Sequence, residues 1–170
     1  MWSRFLSFIE RGPVIVATMF AAMVIFAGYF PAAYFLNLRL LELAWDAEQS
    51  EQILTTLSAE QYRILYWTTT IIAPSLPLAS GLYYAGICTR FAGAWRIWAA
   101  LPALFAMTLM YLLGAVHLAA LNGAPSWLWL KAYLSPLHTF AWAVTILLAY
   151  GLWAPEAWRW LKALRDGEDS

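Results

Sequence analysis

His117 and His138 are the only histidines in the chain, and each falls within an apolar stretch long enough to cross a membrane. A neutral imidazole can ligate haem iron, copper or zinc, and two histidines at one depth could hold a single haem or other metal centre. His117 lies ~4 residues before the end of its stretch, about 6 Å deep at the helical rise. If the next helix begins at Pro136, His138 lies ~2 residues in, about 3 Å deep. The two imidazoles would then stand almost level. A helix beginning at Ser126 would instead set them roughly 10 Å apart in height. Gly114, Ala115, Ala119 and Ala120 leave room beside His117 for a flat ring. A structural role is the plainer assignment, since membrane histidines near an interface commonly hydrogen-bond a carbonyl, a neighbouring helix or headgroup water.

Two further groups carry candidate chemistry. Glu42 and Asp46 are four residues apart on one helical face, and Glu60 opens the following helix. With the histidines they would make a carboxylate–histidine metal site of the kind an oxidoreductase or oxygenase uses. Acidic runs also simply solvate exposed helix ends. Thr69, Pro74, Ser75 and Pro77 mark a broken span. Prolines free backbone carbonyls that hydroxyls or neighbouring helices must satisfy, and such a break can line a ligand pocket or merely pack as a kink.

The elements that must position these residues follow from composition. Over 170 residues, 63% are hydrophobic and 12% charged, with a mean hydropathy of +0.63. A soluble domain is nearer 45–50% apolar, and a chain this short cannot hide the excess in its own core. The expectation is an all-α membrane protein, one integral domain over 1–170. Its four-transmembrane-helix bundle spans about 13–36, 62–87, 97–121 and 136–153, each near the ~20 residues a bilayer requires. Ser58 and Gln61 fit a capping box at the start of helix two, and Asn122-Gly123 with Pro125 stops helix three. Ser135-Pro136 reads as the N-cap and first position of helix four, preceded by a short interfacial helix over 127–134. Residues 156–165 read as an amphipathic C-terminal helix, and Leu38, Leu41, Leu43 and Trp45 as an amphipathic extension of helix one.

Arg4, Arg11, Arg90, Arg96, Arg159, Lys162 and Arg165 lie in the termini and second link, seven basic residues against three (Arg39, Arg63, Lys131) in the first and third links. That bias puts both termini in the cytoplasm, and a bacterial inner membrane is the expected location. Zero formal net charge argues against nucleic acid as a partner. Cys88 is the single cysteine, so no intramolecular disulfide can form. No Asp, Glu, Lys or Arg falls in the central part of any span, which argues against a proton pump or ion-coupled transporter. Two functions are expected. One is a non-catalytic accessory or stabilising subunit, or a lipophilic-ligand binder, with membrane lipids and other membrane subunits as partners. The other is a membrane redox component binding haem or another metal centre through His117 and His138.

Overall fold

Trp2, Phe5, Leu6 and Ile9 recur at helical spacing, and in the computed structural model they form a short amphipathic helix, α1 (Trp2–Ile9), with Leu6 and Ile9 fully buried. The structure describes residues 2–35 and 46–168, and every element among them is helical. After a turn at Glu10 and Arg11, α2 (Gly12–Phe35) begins with Pro13, whose missing amide hydrogen is harmless in a first turn. Asp46 caps α3 (Ala47–Thr55) by accepting from the Glu48 amide at 3.3 Å. The capping box expected at Ser58 and Gln61 is present in both directions, at 3.2 and 2.9 Å, and opens α4 (Ala59–Trp67).

The chain then passes through one π-helical stretch, Thr68–Ile72, into α5 (Ala73–Phe91). The π turn has a local cause. The Pro74 ring would clash with the carbonyl four residues back, that of Thr70, and widening the helix there removes the clash. A 3-10 turn at Gly93–Trp95, with Gly93 at φ 57°, leads into α6 (Arg96–Leu121). Gly123, at φ 90°, ends that helix as the Asn-Gly signal predicts. A second 3-10 segment, Pro125–Leu130, leads into α7 (Lys131–Glu168).

The last helix differs from the sequence expectation. It begins at Lys131 and runs without a break through Pro136 and Pro155, so neither Ser135-Pro136 nor Pro155 starts a new element. The short segment ahead of it is 3-10 and ends at Leu130. The residues whose carbonyls face the two proline rings are Ala132 and Gly151, both exposed. Carbonyls on an exposed side can tilt outward and let a helix continue past proline. The amphipathic C-terminal stretch is therefore the end of α7 and not a separate helix. The expected extension of helix one at Leu38 to Trp45 lies outside the described residues.

Among the described residues four stretches are long and apolar enough to cross a membrane: Gly12–Tyr29, Ala59–Phe91, Gly93–Leu121 and Pro125–Arg165. Helix α5 is the hub, packing on α6 most extensively, then on α2 and α7, while α6 and α7 also pair directly. Small residues at these contacts (Ala85, Cys88, Ala99, Ala103, Ala106, Ala141 and Ala149) are buried and let the backbones approach closely. At one end, α1 lies on α5 and α6 through Leu6, Ile9, Ala85 and Ala100. At the other end, α3, α4 and the 3-10 segment gather around Leu121, Leu128 and Val116.

Candidate functional site

At the α3 end, α6 and α7 run antiparallel with a register fixed by two clusters. Val116 shares one with Leu134, and Leu109 shares the other with Ala141. The level pair is expected from a helix beginning at Pro136, whereas α7 begins at Lys131. Each imidazole nonetheless has a buried Nε2 without a hydrogen-bond partner among the described residues. The His138 ring meets Trp142 edge-on, with centroids 6.3 Å apart.

Lys131 is the residue that sequence reasoning treated only as a topology marker. It is 1% exposed. Its Nζ donates to Ser50 Oγ at 3.2 Å, and that hydroxyl donates to the Asp46 carbonyl at 2.9 Å. The ammonium therefore ties the start of α7 to α3, and it lies near enough to act electrostatically on His117. The signal was a lysine embedded in Trp127-Leu128-Trp129-Leu130, where a merely solvated lysine would have polar neighbours.

The acidic candidates do not converge among the described residues. Asp46 is exposed and uses its carboxylate as the α3 cap, Glu60 is exposed in the first turn of α4, and Glu42 lies outside the described residues. Those residues contain no group of three or more His, Cys, Asp or Glu that could hold a metal ion.

The broken span is closed by hydrogen bonds. Ser75 Oγ donates to the Ile71 carbonyl at 2.6 Å, and the Tyr111 hydroxyl crosses from α6 to the Pro74 carbonyl at 2.9 Å. Pro77 is fully buried and Thr69 is half-buried within the π turn. Other span hydroxyls (Thr18, Thr89, Thr108, Thr145) likewise donate to carbonyls one turn back on their own helix.

A large concave space lies instead near the α1 end. Helix α2 leans on α5, and α7 leans on α6 and α5, which leaves a gap between α2 and α7. The gap is a cavity of about 510 Å³, within the usual range for small-molecule sites. Ile15, Val16 and Met19 line it from α2, and Ala149, Tyr150 and Trp153 line it from α7. Its floor is α5, with Tyr83, Tyr84 and Ile87 below and Arg90 at the rim. Tyr83 and Tyr84 meet edge-on at 4.9 Å, and Tyr150 lines the cavity from α7. Gly12 faces the rim, where a side-chain carbon would stand 3.1 Å from Arg90 Nη1. None of the four residues expected to line a pocket in the broken span borders this cavity.

Fold and site together define an all-helical bundle with four helices apolar enough to cross a membrane, carrying a largely apolar cavity between two of them. No protein-family model matches the sequence, and neither a curated protein nor a solved structure is detectably similar to it.

Proposed function

We propose that this chain is a small polytopic membrane protein that holds a lipophilic ligand without transforming it, and that it serves as a stabilising or accessory component among other membrane subunits. The observation that carries this reading is the cavity between α2 and α7, apolar on three sides and fitted with tyrosine hydroxyls and a single rim arginine. Large apolar side chains cover the outside of the bundle, among them Phe20, Val24, Phe105, Phe140 and Leu147, and lipid is the solvent that suits such a surface. The seven-to-three bias of basic residues supports cytoplasmic termini, and the membrane proposed is a bacterial inner membrane.

The test is extraction of purified protein with organic solvent, followed by mass spectrometry of what is released. A stoichiometric lipophile is expected from the native chain. It should be lost from Val16→Trp, which fills the cavity from an exposed position and leaves the helix contacts intact. Equal recovery from both proteins would overturn the reading.

A second reading has its own support. The partnerless buried Nε2 atoms of His117 and His138 suit metal ligation, and a membrane redox component would use them to hold haem or another metal centre.

A further inference from the structure

The chemistry around the cavity is graded along α5, and the gradient identifies a ligand class. Arg90 sits exposed at the rim, close to Phe91 with its guanidinium 5.9 Å from the ring centroid. Among the described residues no carboxylate pairs with it, whereas Arg96 at the same end pairs with Glu10 at 3.7 Å and Arg159 pairs with Glu156 at 3.0 Å. One to two turns deeper, about 9–10 Å along the helix, Tyr83 and Tyr84 reach the cavity with Tyr150 opposite. Between the rim and the tyrosines the walls are aliphatic, with Ile87 on α5 and Ile15, Val16 and Met19 on α2. Val16, Tyr150 and Trp153 border the gap and are exposed, at 48%, 52% and 46%, which closed cavity walls would not be. The cavity is therefore open sideways, toward the acyl chains of the surrounding membrane.

We infer that the cavity takes an anionic phospholipid from the bilayer, with its phosphate on Arg90, its ester carbonyls on the tyrosine hydroxyls and an acyl chain between α2 and α7. This rests on the reading of the cavity as a lipophilic site. A guanidinium binds phosphate through paired, charge-assisted hydrogen bonds. Ester carbonyls lie inside the phosphate of a glycerophospholipid, on the side of Arg90 where Tyr83 and Tyr84 line the cavity. The arginine-rich end is the one that charge bias assigns to the cytoplasmic side, whose leaflet is the usual home of anionic lipid. Gly12 keeps the rim clear, since any side chain there would crowd the guanidinium.

The experiment compares binding of phosphatidylglycerol and phosphatidylcholine with identical acyl chains to the full chain in neutral detergent, by native mass spectrometry. Both lipids offer the phosphate, but the choline ammonium of phosphatidylcholine sets a second cation near Arg90, so the wild-type protein should prefer phosphatidylglycerol, by about tenfold. Arg90→Gln should bring that ratio close to one while lipid still binds, and Arg90→Lys should keep part of the preference. Val16→Trp should abolish retention of both lipids. Equal binding of the two lipids by the wild type, or a preference unchanged by Arg90→Gln, would overturn the headgroup assignment and leave the lipophilic site standing. Lipid retention unaffected by Val16→Trp would sink the lipophilic site itself. Displacement by inorganic phosphate alone would assign Arg90 to a free anion and refute the lipid. Arg90 is exposed, so its variants are expected to fold, and retention of the wild-type melting temperature checks this.

Discussion

Lys131 Nζ donates to Ser50 Oγ at 3.2 Å across two elements 81 residues apart in sequence, with both side chains almost wholly buried. A buried ammonium is costly to desolvate and persists only where its donors are satisfied. The bond therefore fixes α3 against the start of α7, on the side of the bundle where Leu128, Val116 and Ala47 pack.

Ser50→Ala should destabilise the fold by ~1.5–3 kcal/mol, the range for a hydrogen bond to a charged group. Lys131→Met should be milder than Lys131→Ala, because Met keeps the buried stem while removing the charge. Thermal unfolding in detergent measures both. A melting temperature for Ser50→Ala equal to that of the wild type would show that this bond does not hold α3.

The seat of α1 depends on one missing carbon. A Cβ on Gly86 would stand 2.6 Å from the Ile9 carbonyl oxygen and 2.9 Å from Ile15. Gly86→Ala must therefore push α1 away from α5, at about 1–3 kcal/mol for overpacking. Protease cleavage near Arg4 and Arg11 should rise with it. Gly28→Ala is the control, since nothing lies within 4 Å of a carbon added there; its expected effect is a gain of up to ~1 kcal/mol in helix stability. Equal proteolysis of the two variants would show that Gly86 is not a seat.

Much of this architecture is legible in the sequence because it rests on local signals. The spans follow from apolar runs, the start of α4 from Ser58 and Gln61, and the end of α6 from Gly123. The start of α7 departs from its sequence signal for an equally local reason. Ser135-Pro136 is a good N-cap pair, but Lys131 and the turn before it had already begun a helix that an exposed Ala132 carbonyl let continue. Arg90, Tyr84 and Tyr150 were not legible as a site at all. Arg90 and Tyr84 share α5, but Tyr150 comes from α7 and the facing wall from α2, and their meeting depends on both helices packing on α5. The Gly86 contact is hidden in the same way, since its partner lies 77 positions earlier.

Topology is checked independently of any ligand. A reporter fused after Ser170 should be cytoplasmic, and a tag inserted near Ser50 should be accessible from outside, as the distribution of basic residues requires. Labelling of the C-terminus from outside intact cells would reverse the orientation and remove the leaflet argument for an anionic lipid.

The histidines separate the two functional readings. Their Nε2 atoms are both buried without a partner among the described residues, so each has an unused lone pair or hydrogen. Among the described residues no group of three or more His, Cys, Asp or Glu gathers around either ring. Independent structural histidines are therefore expected. The purified protein should show no Soret band. His117→Phe and His138→Phe should each change stability by a small amount, on the order of 0.6 kcal/mol where an interhelical bond is at stake. The double variant should be close to the sum of the two. A visible absorption band lost in either single variant, together with strong non-additivity in the double, would establish a joint metal centre and favour the redox reading over the lipophilic one.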